Sequence, residues 1–144
     1  MIGEFRGKTR WLSNFHEAPI IYDGMLFATT EHAYQAAKTT CIGERSQIAF
    51  CETPAKAKKE GTKVTLREDW EEIKLNIMLE INRIKYNSYP ELKELLISTR
   101  GEELVEGNNW GDEYWGKVNG KGENHLGRIL MQIRSELERG YDVR

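Results

Sequence analysis

The sequence predicts an α+β fold, in which a single compact domain is mostly helical and has a few short strands. The length of 144 residues is close to the usual size of one domain. Apolar residues recur at helical spacing in several segments, whereas the strand-like stretches are short and do not alternate with helices as in a parallel sheet. No repeat, low-complexity stretch or linker divides the chain, so residues 1–144 are predicted to form one domain.

The clearest predicted strands form a β-hairpin. Asp23-Gly24 separates apolar runs at residues 19–22 and 25–28, and both turn residues accept a positive φ. Two shorter stretches, residues 2–5 and 103–106, are also strand-like.

The predicted helices cover, in chain order, residues 31–39, 43–52, 54–61, 67–86, 91–97 and 125–139. Thr29 or Thr30 caps the first helix, Gly61 fits the C′ position of the third, and Asn124 caps the last. In the fourth helix a core stripe recurs at helical spacing, formed by Trp70, Ile73, Ile77, Ile81 and Ile84. Trp70 lies in the first turn, so projection into a cleft is an open alternative for it. Residues 141–144 are predicted to be a loose tail.

One face of the first helix is polar. Glu31, Gln35 and Lys38 are spaced i, i+4 and i+7, which places them on one side. Such a stripe is usually solvated, but here the opposite face is mostly small alanines. Burial of the polar face against a site is therefore a serious alternative.

Composition excludes several classes of protein. No apolar run approaches the roughly 18 residues of a membrane helix, and residues 1–11 lack the apolar region of a secretory signal. Cys41 and Cys51 are expected to be free thiols in a reducing cytoplasm. Three histidines without CxxC or HxxxH spacing give little support for a metal site. The net charge of −2 disfavours a broad nucleic-acid surface, although a basic cluster at residues 56–67 is either a solvated face or a local phosphate contact.

The segment 108–127 has a composition that suits neither helix nor strand. It combines several glycines with Trp110, Asp112 and Trp115, which is typical of a ligand-site wall, although a well-packed surface loop is an equal alternative. The GKGEN stretch at residues 120–124 begins a helix, where backbone N–H groups suit an anion such as a phosphate.

Two carboxylates, Glu31 and Asp112, are the main candidates for chemistry. Glycoside hydrolysis needs one group to stabilise an oxocarbenium-like sugar or activate water and another to help the leaving group depart. A heterocyclic leaving group would stack on Trp70, Trp110 or Trp115. The common phosphate-loop, dinucleotide-binding and nucleophile-elbow motifs are all absent.

Five segments together resemble the NADAR (YbiA-like) family of N-glycosidases. They are SNF at 13–15, TEHAYQAAK at 30–38, DWEEIKLNIM at 69–78, ELVEGNNWGDEYWG at 103–116 and GKGENHLGRILMQIR at 120–134. The resemblance covers nearly the whole chain. It implies cleavage of an N-glycosidic bond to ribose phosphate or ADP-ribose, either in riboflavin-pathway intermediates or in ADP-ribosylated guanine of nucleic acid.

The resemblance points to an active-site set of Glu31, Trp70, Asp112 and Trp115. Lys38 and Lys121 lie in matching motifs, and which of them traps the opened ribose as an imine is open. The full predicted set has Glu31, Asp112 and Lys38 as catalytic residues and binds substrate through Asn14, Trp70, Trp110, Trp115, Lys121, Gly122 and Asn124. No metal or organic cofactor is expected. The alternatives are a non-catalytic module that binds ADP-ribose or NAD, and a structural or interaction protein.

Overall fold

The computed structural model describes residues 1–140, so the predicted tail at residues 141–144 lies outside the described part. A 3-10 helix at Gly7–Leu12 is followed by strands β1 (Ile20–Tyr22) and β2 (Met25–Phe27). Six α-helices follow: α1 (Thr30–Ala37), α2 (Ile42–Ala49), α3 (Pro54–Gly61), α4 (Trp70–Ser88), α5 (Pro90–Ser98) and α6 (His125–Glu138). The mostly helical α+β prediction is confirmed.

The chain packs as two compact units. One comprises residues 14–85, and the other comprises residues 1–13 with the chain from Tyr86 onward. The single domain expected from the sequence stays a prediction.

The hairpin in the first unit is confirmed. Ile20 of β1 pairs with Phe27 of β2 in an antiparallel ladder. Asp23 and Gly24 have φ values of 50° and 80°, as a two-residue hairpin turn requires. By contrast, residues 2–5 and 103–106 form no strand, and those two predictions are wrong. The two segments are joined only by an isolated parallel bridge between Ile2 and Leu104, and a single bridged pair is too short to count as a strand.

Helix α1 is buried along its whole length. The side chain of Thr29 accepts a hydrogen bond from the backbone nitrogen of His32, which confirms the predicted cap. Ala33, Ala36 and Ala37 are almost inaccessible, and α1 packs against both α2 and α3. The predicted polar face also lies inside, since Glu31 and Gln35 are both buried.

Gly61 does not occupy the predicted C′ position. It is the last residue of α3, and Thr62 follows as the C-cap with a φ of −75°. The glycine serves close packing instead, because a Cβ atom at position 61 would overlap the side-chain amide of Gln35 on α1. A sequence pattern cannot distinguish these two uses of glycine.

Helix α4 begins at Trp70, three residues later than predicted. Trp70 and Ile81 are buried as expected, whereas Ile73, Ile77 and Ile84 are only half-buried. Polar residues share the buried side, since Asn82 and Lys85 are at most 1% exposed. Apolar periodicity alone does not identify such positions.

Helix α6 in the second unit has the predicted apolar face. Its buried residues include Leu126, Ile129, Leu130, Ile133 and Leu137, and the helix packs against α5. Among residues 1–140, no helix is both long and apolar enough to cross a membrane.

Candidate active site

The carboxylate of Glu31 is held in the first turn of α1. It is 8% exposed, and its Oε2 accepts a 2.6 Å hydrogen bond from Nε2 of Gln35. The backbone nitrogen of Glu31 donates to the carbonyl oxygen of Asn14 over 3.1 Å. A carboxylate in this position is also favoured by the positive end of the helix dipole. The result is a fixed, poorly solvated acceptor at the start of a helix.

Asn14 fastens the preceding segment to α1 and α4. Its Oδ1 accepts hydrogen bonds from Oγ1 of Thr30 at 2.8 Å and from Nδ2 of Asn82 at 3.3 Å, and its Nδ2 lies 3.3 Å from Sδ of Met78. The side chain is 7% exposed. Asn14 therefore helps to position the first turn of α1, which carries Glu31. Direct contact of Asn14 with a phosphate stays a prediction.

Trp70 packs against Tyr34 of α1. The ring centroids are 5.2 Å apart at an interplanar angle of 55°, and Trp70 is 4% exposed. Most of the indole is therefore buried in the core, and periodicity alone could not show whether Trp70 is buried or projects into a cleft. Whether the remaining edge contacts substrate stays a prediction.

Lys38 lies one helical turn beyond Tyr34. Its Nζ atom is 5.7 Å from the centroid of the Tyr34 ring, close enough for a cation–π contact. Burial lowers the pKa of Lys38, and the charge of Glu31 opposes that effect. Lys38 and Trp70 therefore both lie against Tyr34, and the charge of Glu31 acts on Lys38, all within the unit formed by residues 14–85. Lys121 is exposed and belongs to the other unit.

Asp112 organises the glycine-rich segment. Its Oδ1 accepts hydrogen bonds from the backbone nitrogens of Tyr114 at 3.1 Å and Trp115 at 2.9 Å. The Oδ1 of Asn108 accepts from the backbone nitrogen of Asp112, and Nδ2 of Asn108 donates to its carbonyl oxygen. No hydrogen bond from residues 1–140 reaches Oδ2 of Asp112, so this oxygen remains for chemistry or solvent.

Trp115 belongs to an aromatic cluster that sequence analysis only partly identified. The Tyr114 ring lies 4.8 Å from Trp115 and 4.5 Å from His125, measured between centroids. Nε2 of His125 is 3.3 Å from a carboxylate oxygen of Glu123. His125 lacks metal-site spacing in the sequence, and only its place next to the GKGEN stretch draws attention to it. Trp110 is 53% exposed.

The start of α6 does not present its amides to an anion. The backbone nitrogens of residues 123, 124, 125 and 126 donate to the carbonyl oxygens of residues 113, 116, 114 and 115, respectively. The backbone nitrogen of Lys121 donates to Val118. The amides of residues 121, 123 and 124 are therefore already satisfied within the chain and are not available to a phosphate, whereas phosphate binding by the backbone of Gly120 and Gly122 stays a prediction. Substrate contacts by the Lys121 side chain and by Gly122 stay predictions.

Asn124 precedes α6 but does not cap it with its side chain. Its backbone is left-handed, with φ 54°, and no side-chain capping bond forms. Instead, Nδ2 donates to the carbonyl oxygen of Leu104 at 2.9 Å, and Oδ1 accepts from the backbone nitrogen of Glu106 at 3.0 Å. The side chain thus joins α6 to the segment before the glycine-rich loop.

Each unit contains a surface cavity, and neither of these two cavities is lined by Glu31, Lys38 or Asp112. A cavity of about 420 Å³ in the first unit is lined by residues that include Tyr22, Arg45, Arg67 and Glu80. A cavity of about 340 Å³ in the second unit is lined in part by Asn108, Lys117 and Asn119. No cluster of metal-ligating side chains occurs within residues 1–140.

Comparison with known proteins gives consistent matches over nearly the full length. The sequence model of the NADAR domain matches residues 4–138. N-glycosidase YbiA of Shigella flexneri is 38% identical over 128 residues, covering 87% of this chain and 79% of that protein. The chloroplastic riboflavin biosynthesis protein PYRR of Zea mays is 34% identical over 128 residues, covering 80% of this chain and 20% of that protein. The NMR structure of the E. coli protein YbiA superposes with a TM-score of 0.84 at 33% identity, covering 97% of this chain and 88% of that chain.

Proposed function

The chain belongs to the NADAR domain family. It acts as an N-glycosidase, and we propose its substrate class and the residues that carry out the reaction. The substrate is a small phosphorylated ribose joined to a heterocyclic base or amine. The reaction is hydrolysis of the N-ribosyl bond. Water adds its oxygen to the anomeric carbon, the C–N bond breaks, and its electron pair and a proton from water go to the departing nitrogen.

Glu31 is the proposed group at the anomeric carbon. A carboxylate that is nearly excluded from water and held in one orientation stabilises a developing oxocarbenium ion and accepts the proton of attacking water. The single observation that supports this role is the 2.6 Å hydrogen bond that fixes Glu31 in the buried face of α1. Burial of Glu31 distinguishes this pair from the exposed i, i+4 hydrogen bond between Lys56 and Glu52.

Lys38 is the proposed nucleophile in a covalent variant of the reaction. Burial lowers its pKa, which increases the fraction of neutral amine. The neutral nitrogen attacks the anomeric carbon, and the base leaves with the bonding electrons and takes one proton from the lysine nitrogen. The ring C–O bond then opens to form the imine, and the ring oxygen takes the second proton of that nitrogen. Water hydrolyses the imine to free ribose phosphate and the neutral amine. Lys38 is a better candidate than the exposed Lys121, because an exposed ammonium is not desolvated.

Asp112 and Trp115 are proposed to contact the ribose or the base. Oδ1 of Asp112 maintains the loop, and Oδ2 is left to accept a hydrogen bond from a ribose hydroxyl. The remaining proposed substrate-binding residues are Trp70, Trp110, Lys121, Gly122, Asn14 and Asn124, of which Asn14 and Asn124 are proposed to contact the phosphate.

Riboflavin-pathway ribosylaminopyrimidine phosphates are the proposed substrates, on the basis of the name of the maize relative. ADP-ribosylated guanine in nucleic acid is the other candidate. The two free cysteines accord with the proposed reducing, cytoplasmic setting.

The test is a side-by-side assay on a ribosylaminopyrimidine phosphate and an ADP-ribosylated guanine oligonucleotide, with wild type, Glu31→Gln and the exposed control Glu72→Gln. We expect Glu31→Gln to lower base release by about 10²-fold or more without a large change in melting temperature, whereas Glu72→Gln stays at wild-type level. Full activity of Glu31→Gln would remove Glu31 from the mechanism. Tight binding of ADP-ribose without product from either substrate would identify a binding module instead.

A further inference from the structure

Gln35 has no role in the mechanism above, yet its side chain donates a hydrogen bond to the Glu31 carboxylate. We propose that Gln35, kept in place by Gly61 of α3, is a positioning residue that fixes the Glu31 carboxylate for catalysis. This inference rests on the proposed function of Glu31.

The orientation of the Gln35 amide follows from its neighbour. A carboxylate only accepts hydrogen bonds, so the NH₂ end of the amide must face Glu31, and it does so at 2.6 Å. Gln35 is 4% exposed, and its Oε1 is buried without a hydrogen-bond partner among residues 1–140. Leaving a buried acceptor unsatisfied is unfavourable. The hydrogen bond from the amide nitrogen to Glu31 is therefore kept, although it leaves the amide oxygen of Gln35 without a hydrogen bond.

Gly61 leaves the space in which this amide lies. A Cβ atom at position 61 would overlap Oε1 of Gln35 and would lie only 2.7 Å from its Cδ and 3.1 Å from its Cβ. Gly61 is the last residue of α3 and does not have a positive φ, so its backbone conformation does not require glycine. Alanine is normally more favourable than glycine within a helix. The room for Gln35 is thus the structural reason for glycine at this position.

The pair has a direct consequence for the reaction. The hydrogen bond to Oε2 of Glu31 restricts rotation of the carboxylate and hence the direction of its second oxygen. A catalytic group must be held close to its productive geometry, because small displacements lower the rate more than they weaken binding. Loss of the Gln35 donor is therefore expected to lower kcat while leaving KM nearly unchanged.

The experiment compares kcat, KM and melting temperature for four variants of the full chain. Gln35→Met removes the donor, and Gln35→Glu keeps the size but replaces the donor by a carboxylate. Gly61→Ala displaces the amide without altering it. Gly43→Ala is the matched control, because it also adds a methyl group to a helical glycine, but its Cβ would meet only Sγ of Cys41 at 3.9 Å.

We expect kcat to fall about tenfold in Gln35→Met and Gly61→Ala and about a hundredfold in Gln35→Glu, with KM within about twofold, since hydrogen bonds to charged groups are worth this much. Gly43→Ala should match wild type. A purely structural role predicts that kcat falls only together with the melting temperature, and kcat within twofold of wild type in both Gln35 variants would overturn the proposal. If Gly61→Ala does not fold, the two Gln35 variants decide alone.

Failure of this inference is distinct from failure of the proposed function. Inactive Glu31→Gln together with active Gln35 variants overturns only the positioning role. Active Glu31→Gln overturns both.

Discussion

Oδ1 of Asp112 lies 2.9 Å from the backbone nitrogen of Trp115 and accepts its hydrogen. The same oxygen also accepts from Tyr114, so one atom determines the local course of the chain. This oxygen therefore has a structural role. The second carboxylate oxygen remains for a catalytic or substrate-binding role, and substitutions can separate the structural role from the other.

Asp112→Asn and Asp112→Ala should have different effects. Asparagine retains an acceptor for the backbone of Tyr114 and Trp115, so we expect its melting temperature to stay close to that of wild type, whereas alanine loses both bonds and about 1–2 kcal/mol of unfolding free energy. Both variants should lose base release if the charge acts on substrate. Denaturant unfolding and the base-release assay measure the two effects. Wild-type activity in Asp112→Asn would show that the charge of Asp112 is not needed for the reaction and that its role is structural.

Asn124→Ala is expected to destabilise the protein by about 2–4 kcal/mol. The substitution removes the buried hydrogen bonds to Leu104 and Glu106 and leaves two backbone groups unsatisfied. Urea denaturation compares this variant with Asn109→Ala, whose side chain is exposed. An unchanged midpoint together with weaker substrate binding would instead indicate direct contact with the substrate.

Borohydride reduction during turnover should attach the ribose to Lys38. Burial lowers the pKa of Lys38 and so increases the fraction of neutral amine, and reduction converts the imine to a stable amine that peptide mass spectrometry locates. Lys121→Met should retain the adduct, and Lys38→Met should lose it. Turnover of wild type without any adduct would leave direct attack by water as the mechanism.

The buried Lys85 should make stability depend on pH. Burial lowers its pKa from 10.5 to about 7, so between these values the unfolded chain binds more protons than the folded one. The unfolding free energy contributed by this group therefore rises with pH across the window and is smallest below about pH 7. Melting temperatures from pH 6 to 9.5 should rise in wild type and in the exposed control Lys59→Met, but less in Lys85→Met. Equal slopes in all three would contradict the assignment. Measurements stop below pH 10, because burial raises the pKa of Tyr86 and this has the opposite effect at higher pH.

Local patterns predicted much of this fold. The hairpin turn at Asp23-Gly24, the Thr29 cap and the apolar face of α6 each depend on a few neighbouring residues, and all three are present. The failed predictions concern partners far along the chain. Gly61 makes room for Gln35, and Asn124 bonds to Leu104, which no spacing rule indicates.

The same distinction applies to the candidate site. Residue types and family resemblance selected Glu31, Lys38 and Asp112, but not how each is held. Within residues 120–124, the amides of residues 121, 123 and 124 are not available to a phosphate, because the carbonyl groups of residues 118, 113 and 116, respectively, already accept their hydrogen bonds. Glycine-rich sequence at the start of a helix does not by itself reveal whether its amides are already satisfied.

Closure of the first turn of α6 by residues 113–116 has a mechanical consequence. The backbone carbonyl of Trp115 accepts a hydrogen bond from the backbone nitrogen of Leu126, so the loop that carries the indole is joined directly to the helix start. Swinging this loop outward would leave the N–H groups at the start of the helix without acceptors. For a ligand bound at the proposed Trp115 contact, we therefore expect entry and exit by rotation of side chains rather than by hinging of the polypeptide.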